Sequence, residues 1–160
     1  GFVTDGFVTG AGWIDSPSGA YTPNDNSDPD LAGKAHFNIA SKYKKGKSTP
    51  QSSTSFRIDG TDLRFESSAY EWLVVEGDRA RYQGVGTVTG NDEVYRFQVI
   101  ALDANISGSS AIRDGFRIKI WQDGPGGTEI VLYDTRPGAG SDATTSLGGG
   151  TVTVHESRGN

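Results

Sequence analysis

Hard oxygen ligands are the densest chemical feature of this chain. The stretch Asn24-Asp25-Asn26-Ser27-Asp28-Pro29-Asp30 crowds carboxylate and amide oxygens together, the ligand type calcium takes. Asp25, Asp28 and Asp30 would hold the ion, and Asp103, Asn105 and Asp114 form a second candidate set. Neither has the spacing or the closing bidentate glutamate of an EF-hand. Asp and Asn at this density also build surface turns through their own side-chain bonds, and turns or hairpin ends are the preferred reading of both sets. His36 and His155 lack ligand-spaced partners, which argues against zinc. The chain has no cysteine, so thiolate sites, cysteine nucleophiles and disulfides are removed together.

Catalytic patterns are equally sparse. No serine sits in a nucleophile-elbow context, and the two histidines are tied by no motif to a serine. Paired carboxylates for glycoside hydrolysis leave no sequence trace when they come from separate strands, so that route carries little weight. The chain is therefore not expected to be an enzyme. Trp13, Trp72, Trp121 and the six tyrosines could offer faces for sugar stacking. Trp72 and Trp121 lie in apolar runs and read as core, whereas Trp13 reads as an anchor seating the first strand in a groove. Asn105-Ile106-Ser107 is an N-glycosylation sequon.

The elements that carry these residues read as strands throughout. Ala35, Phe37 and Ile39 alternate with Lys34, His36 and Asn38, giving one apolar and one wet face. Phe56 and Ile58 meet Leu63 and Phe65 across Asp59-Gly60, a strong hairpin signal. Gly84 and Gly86 inside a strand predict a bulge or a close backbone approach. Tyr95, Phe97, Val99 and Ala101 share a face, and Phe116, Ile118 and Ile120 alternate with Arg117, Lys119 and Trp121. About ten strands at intervals of roughly 8–12 residues, with no substantial helix, predict a single-domain β-sandwich or jelly roll.

Composition narrows the partners. The formal net charge of −5 disfavours nucleic acid, and the basic cluster Lys42 to Lys47 reads as a solvated loop. No apolar run reaches the ~18 residues that span a bilayer. The absence of methionine predicts a secreted protein whose signal peptide has been removed, located outside the cell or on its surface.

The opening Gly1-Phe2-Val3-Thr4-Asp5-Gly6-Phe7-Val8-Thr9-Gly10 doubles one Gly-Phe-Val-Thr unit. A short β-branched strand of this kind either completes its own sheet or adds to the sheet of another chain. Residues 1–10 are read as an N-terminal strand open to donation and residues 11–160 as the sandwich, with Phe2, Val3, Phe7, Val8 and Trp13 as the partner contacts.

Several strings resemble an uncharacterised β-domain of large secreted and surface-attached bacterial proteins, found there after anchor-type repeats. They include Gly6 to Ile14, Ser16 to Tyr21, Gly33 to Phe37, Lys42 to Gly46, Tyr70 to Val75, Phe116 to Trp121 and Leu147 to Gly150. The resemblance implies an extracellular module without catalytic residues; the extra Gly-Phe-Val-Thr unit departs from it. The expected function is a structural subunit of a surface fibre, a head-to-tail homopolymer joined by N-terminal strand addition. The alternative is a monomeric extracellular carbohydrate-binding or adhesion module, with glycan as partner. No cofactor other than the candidate calcium is expected.

Overall fold

The protein, a computed structural model, is described over residues 6–22, 32–42, 51–90, 92–106, 109, 111–140 and 143–155. The alternation in the sequence becomes ten strands: β1 (Phe7–Ser16), β2 (Gly33–Lys42), β3 (Gln51–Ile58), β4 (Arg64–Glu76), β5 (Arg79–Val88), β6 (Val94–Leu102), β7 (Gly115–Asp123), β8 (Glu129–Asp134), β9 (Thr145–Ser146) and β10 (Gly149–His155). Positive-φ glycines sit in the tight connections, Gly60 at φ 80° between β3 and β4 and Gly77 at φ 58° between β4 and β5. Such angles suit a residue without a Cβ.

All pairings are antiparallel, and the strand order is β10-β1-β2-β3-β4-β5-β6-β7-β8 with β9 on β7. The expectation of an all-β chain of about ten strands is met, and the strands form one curled antiparallel sheet in which β1 to β8 follow one another in order. Short alternating strands at even spacing suit several β architectures, and spacing alone does not encode strand order. The curl closes on itself beyond β1. There the Thr22 N–H donates to Leu132 O at 2.8 Å, the Asp134 N–H donates to Ala20 O at 3.0 Å, and Tyr21 bridges Tyr133.

Inward side chains of opposite walls meet inside this curl. Phe37 of β2 stacks on Phe116 of β7 with centroids 4.1 Å apart, and Phe56 meets Tyr133 at 4.8 Å. A second cluster joins Phe65, Tyr70, Tyr82 and Phe97. Gly84 and Gly86 make room for it: a Cβ on Gly86 would strike the Phe65 ring and Glu66 O. Opposite these glycines the β4–β5 register shifts between Ser67 and Ala69 and between Tyr70 and Trp72. Bulge and close approach therefore occur together at the strand glycines.

Buried phenols find partners inside the curl. Thr54 Oγ1 lies 2.6 Å from the Tyr82 hydroxyl, and Ser16 Oγ lies 2.9 Å from that of Tyr133. Burial pushes the Tyr82 phenol far above the usual tyrosine range, and it raises Tyr133 and Tyr70 as well. Trp72 corrects the sequence expectation, whereas Trp121 is buried as expected. Trp72 and Trp121 lie outside the interior cluster, on the outer face. Trp121 is buried there with Lys119 Nζ 5.2 Å and Arg96 Cζ 5.7 Å from its ring centroid.

Candidate functional site

The second Gly-Phe-Val-Thr unit is used at home. Phe7 and Val8 pair with Lys42 and Ser41 on one side and with His155 and Val154 on the other. Val8 is fully buried in the core, and Phe7 stacks on His155 with centroids 5.1 Å apart. Both flanks of this segment are thus occupied by the chain itself. Phe2 and Val3 lie outside the described residues. Trp13 lies against its own chain. A Cβ on Gly148 or Gly149 would collide with its ring, and Lys34 Nζ lies 4.2 Å from the ring centroid. The run Gly148-Gly149-Gly150 is therefore the bed on which Trp13 and β1 lie.

The second calcium set has a structural occupation. Asp103 Oδ2 accepts the Val154 N–H at 2.9 Å and its Oδ1 accepts the Asn105 N–H at 2.9 Å. Asp114 repeats the pattern, with Oδ2 accepting the Val152 N–H at 2.8 Å and Oδ1 accepting the Ala104 N–H at 2.8 Å. All four carboxylate oxygens face the positive ends of backbone dipoles, a poor setting for a cation. What they do instead is cap the outer edge of β10, a row of donors that would otherwise invite another strand. Asn105 contributes its N–H, not its side-chain oxygen, to this arrangement. Among the described residues, no group of three or more His, Asp or Glu side chains could hold a metal. Asp25, Asp28 and Asp30 lie outside the described residues, as do Tyr43 to Lys47 of the basic cluster.

A surface groove of ≈ 540 Å³ lies across the outer face of β1 to β4. Two rows of outward side chains build it, each fixed by strand register. One runs His36, Arg57, Arg64, and the other runs Asn38, Ser55, Glu66, with Gly12 of β1 at their end. Gly12, Asn38 and Ser55 are small enough to leave the middle open, while Arg57, Arg64, His36 and Glu66 stand around it. Side chains directly opposite on neighbouring strands lie ~4.5–5.5 Å apart at Cβ, so these groups converge on one ligand-sized volume.

The charges in the groove are partly paired. His36 Nε2 lies 2.8 Å from Asp59 Oδ2, and Arg57 Nη1 donates to Asp59 Oδ1 at 3.1 Å. The hydrogen bond from His36, with help from the charges of His36, Arg57 and Lys34, holds the Asp59 carboxyl below the usual carboxylate range. Arg64 is exposed and forms no ion pair among the described residues. The arrangement can donate and accept hydrogen bonds to a polar ligand; it contains no nucleophile paired with a base.

Sequence reasoning saw Asn38 and His36 as a wet face but did not single out Arg57, Arg64, Ser55 or Glu66. Period-2 alternation on either side of Asp59-Gly60, combined with the hairpin register, places all four on one face. No helix of the described residues is long and apolar enough to cross a membrane. Comparison of the chain with family models, with curated proteins and with solved structures finds no match.

Proposed function

We propose that this chain is an extracellular carbohydrate-binding or adhesion module, and that the groove over β1 to β4 is its ligand site. The observation that carries this reading is the pair of register-fixed rows that brings His36, Asn38, Ser55, Arg57, Arg64 and Glu66 around one ≈ 540 Å³ volume. Their amide, hydroxyl, guanidinium and carboxylate groups supply the mixture of donors and acceptors that sugar hydroxyls need. The resemblance to the β-domain of bacterial surface proteins supports the extracellular setting. The groove reading predicts that Ser55→Tyr, which places a ring in the middle of an exposed wet face, abolishes glycan-array binding while leaving the melting temperature unchanged. Array binding retained in that variant would refute it.

A second reading, the fibre subunit, draws support from how the second Gly-Phe-Val-Thr unit is held. Gly6 is seated where a Cβ would press on Val75, Phe7 lies on His155 and Val8 fills the core. Gly1 to Thr4 repeats the same strand-forming residue types in the same order, so it is suited to strand addition on a neighbouring subunit. On this reading, deleting Gly1 to Asp5 leaves a folded monomer that forms no filaments in electron micrographs. Filaments from the truncated chain would exclude it.

A further inference from the structure

We propose that the groove takes an anionic saccharide, with the ligand's carboxylate or sulfate held between Arg57 and Arg64; this rests on the groove being the ligand site. The inference comes from a charge arrangement that the isolated domain does not need. Arg57 and Arg64 are direct cross-strand partners on β3 and β4. Like charges directly opposite in a sheet are destabilising, so the pair works against the fold. The repulsion is only partly relieved, because Asp59 is bonded to Arg57 and His36 and not to Arg64.

Glu66 lies two residues along β4 on the same face, and it forms no ion pair with either arginine. Lys34, outward on β2 beside the groove, adds a further cation on the same face. This accumulation stands out in a chain with 20 acidic and 15 basic residues. An anion between the guanidinium groups would turn the repulsion into two charge-assisted contacts. A guanidinium presents five donors in a planar fork that matches carboxylate and sulfate geometry, so Arg57 can keep Asp59 and still reach a ligand. Neutral hydroxyls of the same ligand would meet Asn38 and Ser55 on the groove floor.

Calorimetric titration of the full chain tests this with three oligosaccharides of equal length: one of uronate residues, one sulfated and one neutral. The expected result is that the uronate or the sulfated ligand binds at least tenfold more tightly than the neutral one. Arg64→Ala should remove that advantage and Arg64→Lys should restore only part of it, because a lysine gives charge without the fork. The two acidic ligands separate carboxylate from sulfate recognition. A neutral ligand that binds as tightly as the acidic ones, with Arg64→Ala without effect and Ser55→Tyr abolishing binding, would overturn the inference and leave the groove reading intact. Binding that survives both Arg64→Ala and Ser55→Tyr, or no binding of any of the three, would overturn both. Arg64 is exposed and unpaired among the described residues, so its variants should keep the native circular dichroism and melting profile.

Discussion

Replacing Asp103 with alanine separates edge capping from ion binding. Asp103 is 4% exposed, and its carboxylate accepts two backbone donors, the buried Val154 N–H and the N–H of exposed Asn105. A hydrogen bond to a charged group contributes about 1.5–3 kcal/mol, and a buried donor left without a partner costs ~1–3 kcal/mol. Asn105 can turn to water, so most of the loss falls on Val154. The expected destabilisation is then about 2–4 kcal/mol, which for a domain of this size lowers the melting temperature by roughly 5–12 °C. Asp103→Asn keeps one acceptor oxygen and should lose about half as much. Urea and thermal melts, each run with calcium and with a chelator, give the numbers. Hydrogen exchange should show the Val154 amide losing protection first. If calcium raises the wild-type melting temperature by several degrees and Asp103→Ala abolishes that rise, the carboxylates are metal ligands and the edge-capping argument fails. A variant within ~0.5 kcal/mol of wild type would refute it as directly, since surface-like losses are of that size.

The buried phenols set an alkaline limit. Tyrosine in an unfolded chain ionises near pH 10, whereas burial raises Tyr82, Tyr133 and Tyr70 above that value, so the native state retains protons that the unfolded state releases. Stability contributed by these groups is complete below pH 10 and falls as pH rises beyond it. Phenolate absorbance from this buried set should appear together with loss of the native circular dichroism; titration of all six tyrosines with the native spectrum intact would contradict the burial argument. Gly86→Ala drives a methyl group into the Phe65 ring and Glu66 O, an overpacking expected to cost about 1–3 kcal/mol in urea unfolding.

Much of the fold can be read along the chain because period-2 alternation is a local property. Ala35, Phe37 and Ile39 point inward as the pattern requires, and Asp59-Gly60 turns the chain as its residue types demand. Strand order is not local. The pairing of β10 with β1, and the contact of residues 20–22 with β8, join parts of the chain that no spacing rule connects. The bulges in β4 also defeat simple alternation: Tyr70 packs against Tyr82 and Phe97 inside, yet Leu73 and Val75 are buried as well.

The site residues divide in the same way. Trp13 stands just past the repeat, but the glycines it packs on, Gly148 and Gly149, lie at the far end of the sequence. The acidic pair Asp103 and Asp114 stands out by residue type, and only the fold shows that both serve the edge of β10. Arg57 and Arg64 belong to no sequence motif, and only the strand register sets them opposite each other.

The most direct test of the groove as ligand site is amide chemical-shift mapping of the labelled full chain during titration with the tightest-binding oligosaccharide. The account predicts shifts confined to the outer face of β1 to β4, centred on His36, Asn38, Ser55, Arg57, Arg64 and Glu66, with the outer face of β5 to β7 around Gln98 and Trp121 unmoved. Shifts centred on Gln98 and Trp121, with the β1 to β4 rows unchanged, would contradict it.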